Sequence, residues 1–252
     1  MTYKSTILAD APVHYWRCNE GAGQLAHDIG SNPTHILGSG AGISLLGYTG
    51  PTSDGGSFLA PRSNGFASSG QIQSLASPIS IECWCWPMFV GSDNRFPMAW
   101  DGNTANYVGF LYLTTQKFAL NCKAASIQST HTFNTQQWHH LVGTWDNITL
   151  KLYVDNVLEA SQALAGGITF SNPIGLGEPV GITTNTFQGQ VCEAAIYSSA
   201  LSAAQVASHF NAADQRSSVP TYVFSVGGGA AIAGGAVPAD LSTVLASVRK
   251  TY

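Results

Sequence analysis

Short apolar or alternating runs, broken by clusters of Gly, Asn, Ser and Pro, fill residues 1–200. They are Val13–Cys18, Ile79–Val90, Tyr107–Thr114, Lys117–Ala124, His139–Asp146, Ile148–Asp155, Asn172–Pro179 and Gly189–Tyr197. Each is rich in β-branched and aromatic residues, and their recurrence predicts the strands of an antiparallel sandwich or jelly roll. Asp155-Asn156 interrupts "ITLKLYVDNVLEA" as a tight turn and predicts a hairpin. Helical periodicity is confined to the C-terminal part. In "ALSAAQVASHFNAA", Ser202 and Gln205 have capping-box spacing, and Ala203, Val206, Ala207 and Phe210 form an apolar stripe. A second, weaker pattern, "PADLSTVLASVRKTY", offers Asp240 as N-cap and Arg249 and Lys250 in its last turn. The Gly/Ala-rich tract between them cannot hold a core of its own and predicts an arm carrying a terminal helix. The expected division is a sandwich over 1–215 and an arm over 216–252, with Tyr222, Val223, Phe224, Leu241, Val244 and Leu245 as its contact residues.

Period-two alternation also decides how to read "QQWHHLVGTWDN" (136–147), which sets two histidines between two tryptophans. Trp138, His140, Val142 and Thr144 share one face, and His139, Leu141, Gly143 and Trp145 the other. The paired histidines therefore point apart and cannot jointly hold a metal. In "ISIECWCWP" (79–87), Trp84 and Trp86 lie opposite Cys83 and Cys85. A strand that is apolar on both faces is a central one, so these tryptophans are expected in the core.

Composition changes the picture mainly through charge. Only 10% of the 252 residues are charged, against roughly 25% in a typical domain. With a net charge of −4 there is no clustered Lys/Arg footprint for nucleic acid. A surface of amides and hydroxyls desolvates at lower cost than a charged one, which suits a chain packed against other subunits. The five cysteines, Cys18, Cys83, Cys85, Cys122 and Cys192, are odd in number and match no zinc spacing. They read as buried apolar thiols in a reducing compartment. The start "MTYKSTILADAP" shows no signal peptide, and "YVFSVGGGAAIAGGAV" (222–237) is too short and glycine-rich for a membrane span.

Four motifs in order carry a resemblance. They are "HYWRCNEGAGQLAHDIG" (14–30), "ISIECWCWP" (79–87), "QWHHLVGTWDNITLKLYVDN" (137–156) and "FQGQVCEAAIYSSALSAAQVASHFNA" (187–212). Together, over about residues 5–213, they resemble a laminin-G-like jelly roll of the concanavalin A-like lectin/glucanase superfamily. The lead-in "YKSTILADAPVHYWR" also resembles the starts of such domains in bacteriophage virion proteins. The implied fold is an all-β antiparallel sandwich with one short helix after the last strand and a C-terminal arm.

The resemblance also frames the chemistry. Glycosidases on this fold need facing carboxylates. The five glutamates, Glu20, Glu82, Glu159, Glu178 and Glu193, form no such strand pair, so no enzyme and no catalytic residues are expected. Calcium at the sandwich rim is a family trait, usually held by an Asp-Glu pair after Phe-x-Gly. Here Cys192 stands where the Asp is expected, and a thiol is a poor calcium ligand. Glu193 and Asp28 remain as the metal candidates; Asp54, Asp146 and Asp155 are further carboxylates, although Asp28 and Asp155 read equally well as turn residues. No other cofactor is implied. For a carbohydrate site, Trp100 in "PMAWDGNTANY" reads as a loop aromatic, with Asn103, Asn106 and Tyr107 beside it. His14, His27, His35, His131 and His209 share no ligand spacing and read as surface or helix-face residues.

Low charge, unpaired cysteines and the arm lead to a non-catalytic structural protein of a bacteriophage-type virion, decorating or cementing the capsid or belonging to the tail. Its partners would be other virion proteins such as the major capsid protein and further copies of itself, with no nucleic acid and no membrane. It would be assembled in the host cytoplasm and located in the virion. The alternative is a carbohydrate-binding or host-adhesion module, calcium-dependent if the rim site is filled, with a host glycan as partner.

Overall fold

The structure, a computed structural model, describes residues 2–20, 25–31, 37–39, 48–52, 56–60, 67–68, 75–100, 107–170, 173–177 and 185–213. Helix α1 (Tyr3–Ala9) leads into strands β1 (His14–Trp16), β2 (Leu25–Ala26), β3 (Leu37–Ser39), β4 (Tyr48–Thr49), β5 (Gly56–Ala60), β6 (Ala67–Ser68) and β7 (Leu75–Ala76). The central strands are β8 (Ile79–Pro87), β9 (Arg95–Trp100), β10 (Val108–Tyr112), β11 (Phe118–Cys122), β12 (Ala125–Gln128), β13 (His139–Trp145) and β14 (Thr149–Val154). Then come β15 (Val157–Ala163), β16 (Thr169–Phe170), β17 (Ile174–Leu176), β18 (Gly189–Tyr197) and helix α2 (Ala203–Ala212).

Two eight-stranded antiparallel sheets form the sandwich. The first runs β15-β14-β13-β8-β18-β5-β4 with β1 also on β18, and the second β12-β11-β10-β9-β17-β6-β3-β2. The long apolar strands β8 and β18 are neighbours at the middle of the first sheet, buried along their whole length. Between the sheets, Ile81, Cys83 and Leu141 pack with Phe110, Phe118 and Leu120 in one large core. A Cβ added to Gly143 would lie 2.8 Å from Leu120 Cδ1 and 3.3 Å from Phe110 Cε1, so this glycine lets the two sheets approach. The outer face of the first sheet is covered by the two helices: Trp84 meets Tyr3 of α1 edge-on and stacks on Phe210 of α2. Both faces of β8 are thus covered, as its doubly apolar pattern predicts.

Most expected strands appear within a few residues of their predicted bounds, and the Asp155-Asn156 turn has two positive φ values, 49° and 67°. The Ser202/Gln205 capping box forms as predicted. Three local readings are corrected. Tyr3–Ala9 is a helix, capped by the Thr2 side chain, with Tyr3 and Ile7 turned into the core; seven residues are too few to display a periodic stripe. The inner face of α2 centres on Val206 and His209, while Ala203 is exposed. Arg95–Trp100 is a strand, so Trp100 ends β9 and is not a loop aromatic. The expected arm and its six contact residues lie outside the described residues.

Candidate functional site

Three constellations can be compared as working sites. The first is buried under the helices. Glu82 on β8 and His140 on β13 project from the same outer face, and α2 lays His209 over them. Tyr3 Oη donates to Glu82 Oε1 (2.9 Å), and His140 Nε2 stands 2.8 Å from the same oxygen. Tyr197 Oη donates to Oε2 (2.9 Å), and His209 Nδ1 stands 2.9 Å from it. The other nitrogen of His209 faces Asp10 Oδ2 at 2.8 Å. An imidazole whose two nitrogens both face carboxylates is held doubly protonated. Consistent with that, the two acids push His209 up to about 9 against its burial, and the two histidines hold the Glu82 carboxyl far below its usual range despite burial. His140 Nδ1 has no partner, so Nε2 carries its donated proton. The residue types are those of acid–base catalysis, yet every oxygen of Glu82 already accepts two bonds from protein and none is left for a substrate. The arrangement ties α1, the first sheet and α2 together.

Of the histidines expected on a surface or a helix face, His209 lies on the buried face of α2, whereas His14 is a buried strand residue of β1. The faces were read correctly: His140 points outward to Glu82, and His139 points inward among Phe118 and Phe133, with Nδ1 2.8 Å from Asp155 Oδ2. The acids come from β8 and from the β14–β15 turn. The readable signal was a lone Glu in a strand too apolar to tolerate an unpaired charge.

The second constellation holds the two metal candidates. Asp28 Oδ1 accepts from the backbone N–H groups of Tyr15 and Gly30 (2.9 Å each), and Oδ2 lies 2.7 Å from His14 Nδ1. Glu193 is the extra residue of a bulge in β18, with φ 49°. Its carboxylate receives Arg17 Nη2 (2.9 Å), Thr52 Oγ1 (3.0 Å) and the hydroxyl of Tyr15. Burial pushes the Glu193 carboxyl up, against the pull of Arg17, Tyr15 and Thr52. A guanidinium therefore sits where a cation would have to sit, and each carboxylate is engaged by protein donors. These residues do not fit a calcium ion, and among the described residues no three His, Cys, Asp or Glu side chains are placed to hold a metal.

The expected carbohydrate platform is corrected as well. Trp100 is fully buried in β9, its ring 4.7 Å from that of Phe170, because β10 and β17 flank the strand on both sides. Tyr107 is half-buried against Phe96 and accepts a hydrogen bond from Asn121. Asn103 and Asn106 lie outside the described residues. The cysteines are all free and buried, and burial pushes their thiols up, Cys122 to about 12.

The third constellation is at the surface. Between the β8–β9 loop and the segment entering β18 lies a half-open cleft of about 290 Å³ lined by Phe89, Val90, Gly91, Ser92, Arg95 and Gln188. Phe89 and Val90 are 51% and 40% exposed. Backbone bonds from Met88 to Gln188 (2.9 Å) and from Phe96 to Asn185 (3.2 Å) join the two walls. No single motif announces it, since its parts lie about a hundred positions apart.

A two-sheet jelly roll with helix-covered outer face and a small rim cleft defines a lectin-like sandwich. The profile of the concanavalin A-like lectin/glucanases superfamily (Laminin_G_3) matches residues 62–207. The chain belongs to this family. No curated protein sequence matches it. Among solved structures it is similar to the botulinum neurotoxin serotype D ligand-binding domain in complex with N-acetylneuraminic acid (13% identity, TM-score 0.63, 83% of this chain and 52% of that one). It is also similar to the serotype G binding domain (14%, 0.60, 79% and 50%). A third is the Trypanosoma rangeli sialidase covalent intermediate with 2,3-difluorosialic acid (12%, 0.61, 81% and 33%). The chain thus spans about half of the toxin domains and a third of the sialidase, and at these identities the likeness is one of fold.

Proposed function

We propose that the chain is a non-catalytic carbohydrate-binding module. The observation that carries this reading is the rim cleft of a lectin-family sandwich, with a half-exposed phenylalanine beside amide and hydroxyl groups. Sugar sites need an apolar platform and a few fixed polar groups, and the cleft offers both. Two of the structures of similar fold hold sialic-acid-type ligands, by their own descriptions. Catalysis is disfavoured by the Glu82 network: its carboxylate is fully buried and both oxygens are engaged by protein donors. A glycan array probed with the full chain, with and without added calcium, tests the reading. Binding that is indifferent to calcium is expected; silence across the array would overturn it.

A second reading, a structural subunit of a phage-type virion, is favoured by the 10% charged fraction and by five buried thiols without a disulfide. It is compatible with glycan binding if the sandwich is displayed outward. Silence on the array combined with homo-oligomers in size-exclusion chromatography would favour it over the first.

A further inference from the structure

We propose that the cleft between the β8–β9 loop and the segment entering β18 takes a terminal, uncharged 2-acetamido sugar, its ring face on Phe89 and its acetamido group between Val90 and the Gln188 amide. This rests on the carbohydrate-binding reading and adds to it a ligand class. Phe89 and Val90 follow closely on the end of β8, where the alternation of faces has stopped, so two consecutive apolar side chains line one cleft, and both are exposed. A lone aromatic face serves any sugar ring. The added valine calls for an apolar group beside the ring, since a hydroxyl laid against it would lose its water without gaining a bond.

The polar side of the cleft favours an uncharged ligand. Arg95 is the charged residue of the lining, and it is already engaged: it pairs with Asp93 at 3.5 Å and has a further interaction within the protein. An ionic ligand would have to compete with those contacts, whereas an uncharged one leaves them in place. Gln188 is half-buried, and its side-chain amide forms no hydrogen bond with the described residues. Its backbone is fixed, because Gln188 O accepts from Met88 N (2.9 Å) and the next residue, Gly189, pairs with Pro87. The approach there is so close that a Cβ on Gly189 would lie 2.2 Å from Trp86 O. An acetamido group meets both walls from one ring position: its methyl packs on Val90 and its N–H donates to Gln188 Oε1, leaving Nε2 for the neighbouring ring hydroxyl. Ser92 Oγ donates to Asp93 Oδ2 (3.1 Å) and keeps its lone pairs for a further hydroxyl. The volume, about 290 Å³, is at the lower end for ligand pockets, which suits one terminal ring and not an extended chain.

The test is a ligand-observed NMR titration of the full chain with the methyl glycosides of N-acetylglucosamine, N-acetylgalactosamine, glucose, rhamnose and glucuronic acid. At least one acetamido glycoside should bind about fourfold more tightly than glucose, the effect of one buried methyl, with its acetyl protons receiving the strongest saturation transfer. Phe89→Ala and Gln188→Ala should each weaken that binding about tenfold, and Val90→Ser should bring it down to the level of glucose. Ile148→Ala, exposed on another loop, should leave it unchanged. Phe89 and Val90 are exposed, so their variants decide the matter if Gln188→Ala fails to fold. Acetamido binding untouched by Phe89→Ala would overturn this site and leave the carbohydrate reading standing. Glucose, rhamnose or glucuronic acid bound as tightly as the acetamido sugars, or acetamido binding indifferent to Val90→Ser or Gln188→Ala, would overturn the ligand class. Binding of no sugar here or on the array would overturn both readings.

Discussion

Glu82 is the residue on which most of the buried polar structure depends. Four donors converge on its two oxygens, from α1, β13, β18 and α2. A buried charge is tolerated when its lone pairs are filled and costs several kcal/mol when one partner is removed. Glu82→Gln turns one acceptor into a donor facing donors. We expect a loss of about 3 kcal/mol or more, read as a fall of roughly 6–12 °C in the unfolding midpoint. Gly143 makes a separate claim about packing. Gly143→Ala should cost about 1–3 kcal/mol, because its new methyl meets Leu120 in a core where both sheets constrain the relaxation. An unchanged midpoint in calorimetry would show that the sheets are not in close contact there.

Between helix and sheet the interaction is electrostatic, and its sign can be worked out. His209 on α2 faces Glu82 of β8 and Asp10 at the end of α1, with the Tyr197 ring of β18 stacked on it; Tyr3 and His140 share the same Glu82 carboxylate. Its folded pKa is raised from 6.5 to about 9. The stability it adds is therefore fully present below pH 6.5 and lost as pH rises through 9. Glu82 is held below its usual 4.5, so its share is present above that pH and lost in acid. Replacing His209 by Gln should remove the alkaline part: the gap between wild-type and variant midpoints should be widest below pH 6.5 and narrow above pH 9. A constant gap would mean that His209 is neutral in the fold. At the other end of α2, Ser202→Ala breaks the capping box and should cost about 1 kcal/mol at any pH.

At the scale of the whole molecule, the sandwich was legible because its information is local. Alternation placed His139 and His140 on opposite faces, and the doubly apolar "IECWCW" marked the centre of a covered sheet. The polar sites were not legible, because they are assembled across sequence distance. His209 meets Glu82 from 127 residues away, Arg17 meets Glu193 from 176, and Gln188 closes a cleft begun at Phe89. No spacing rule connects such pairs without the sheet order. Trp100 shows the converse error: a loop aromatic by its sequence setting, it is buried at the end of β9. Since Arg17 occupies the rim position beside Glu193, added calcium should leave the unfolding midpoint unchanged. A calcium-dependent rise would place the ion elsewhere in the chain.

We propose that this lectin-family sandwich holds a sugar without cleaving it. The direct measurement is to incubate the full chain with its best array ligand and analyse free, bound and product sugar by mass spectrometry. Saturable retention of intact glycan with no released product is expected. Released reducing sugar accumulating with time, or no retention at all, would contradict it.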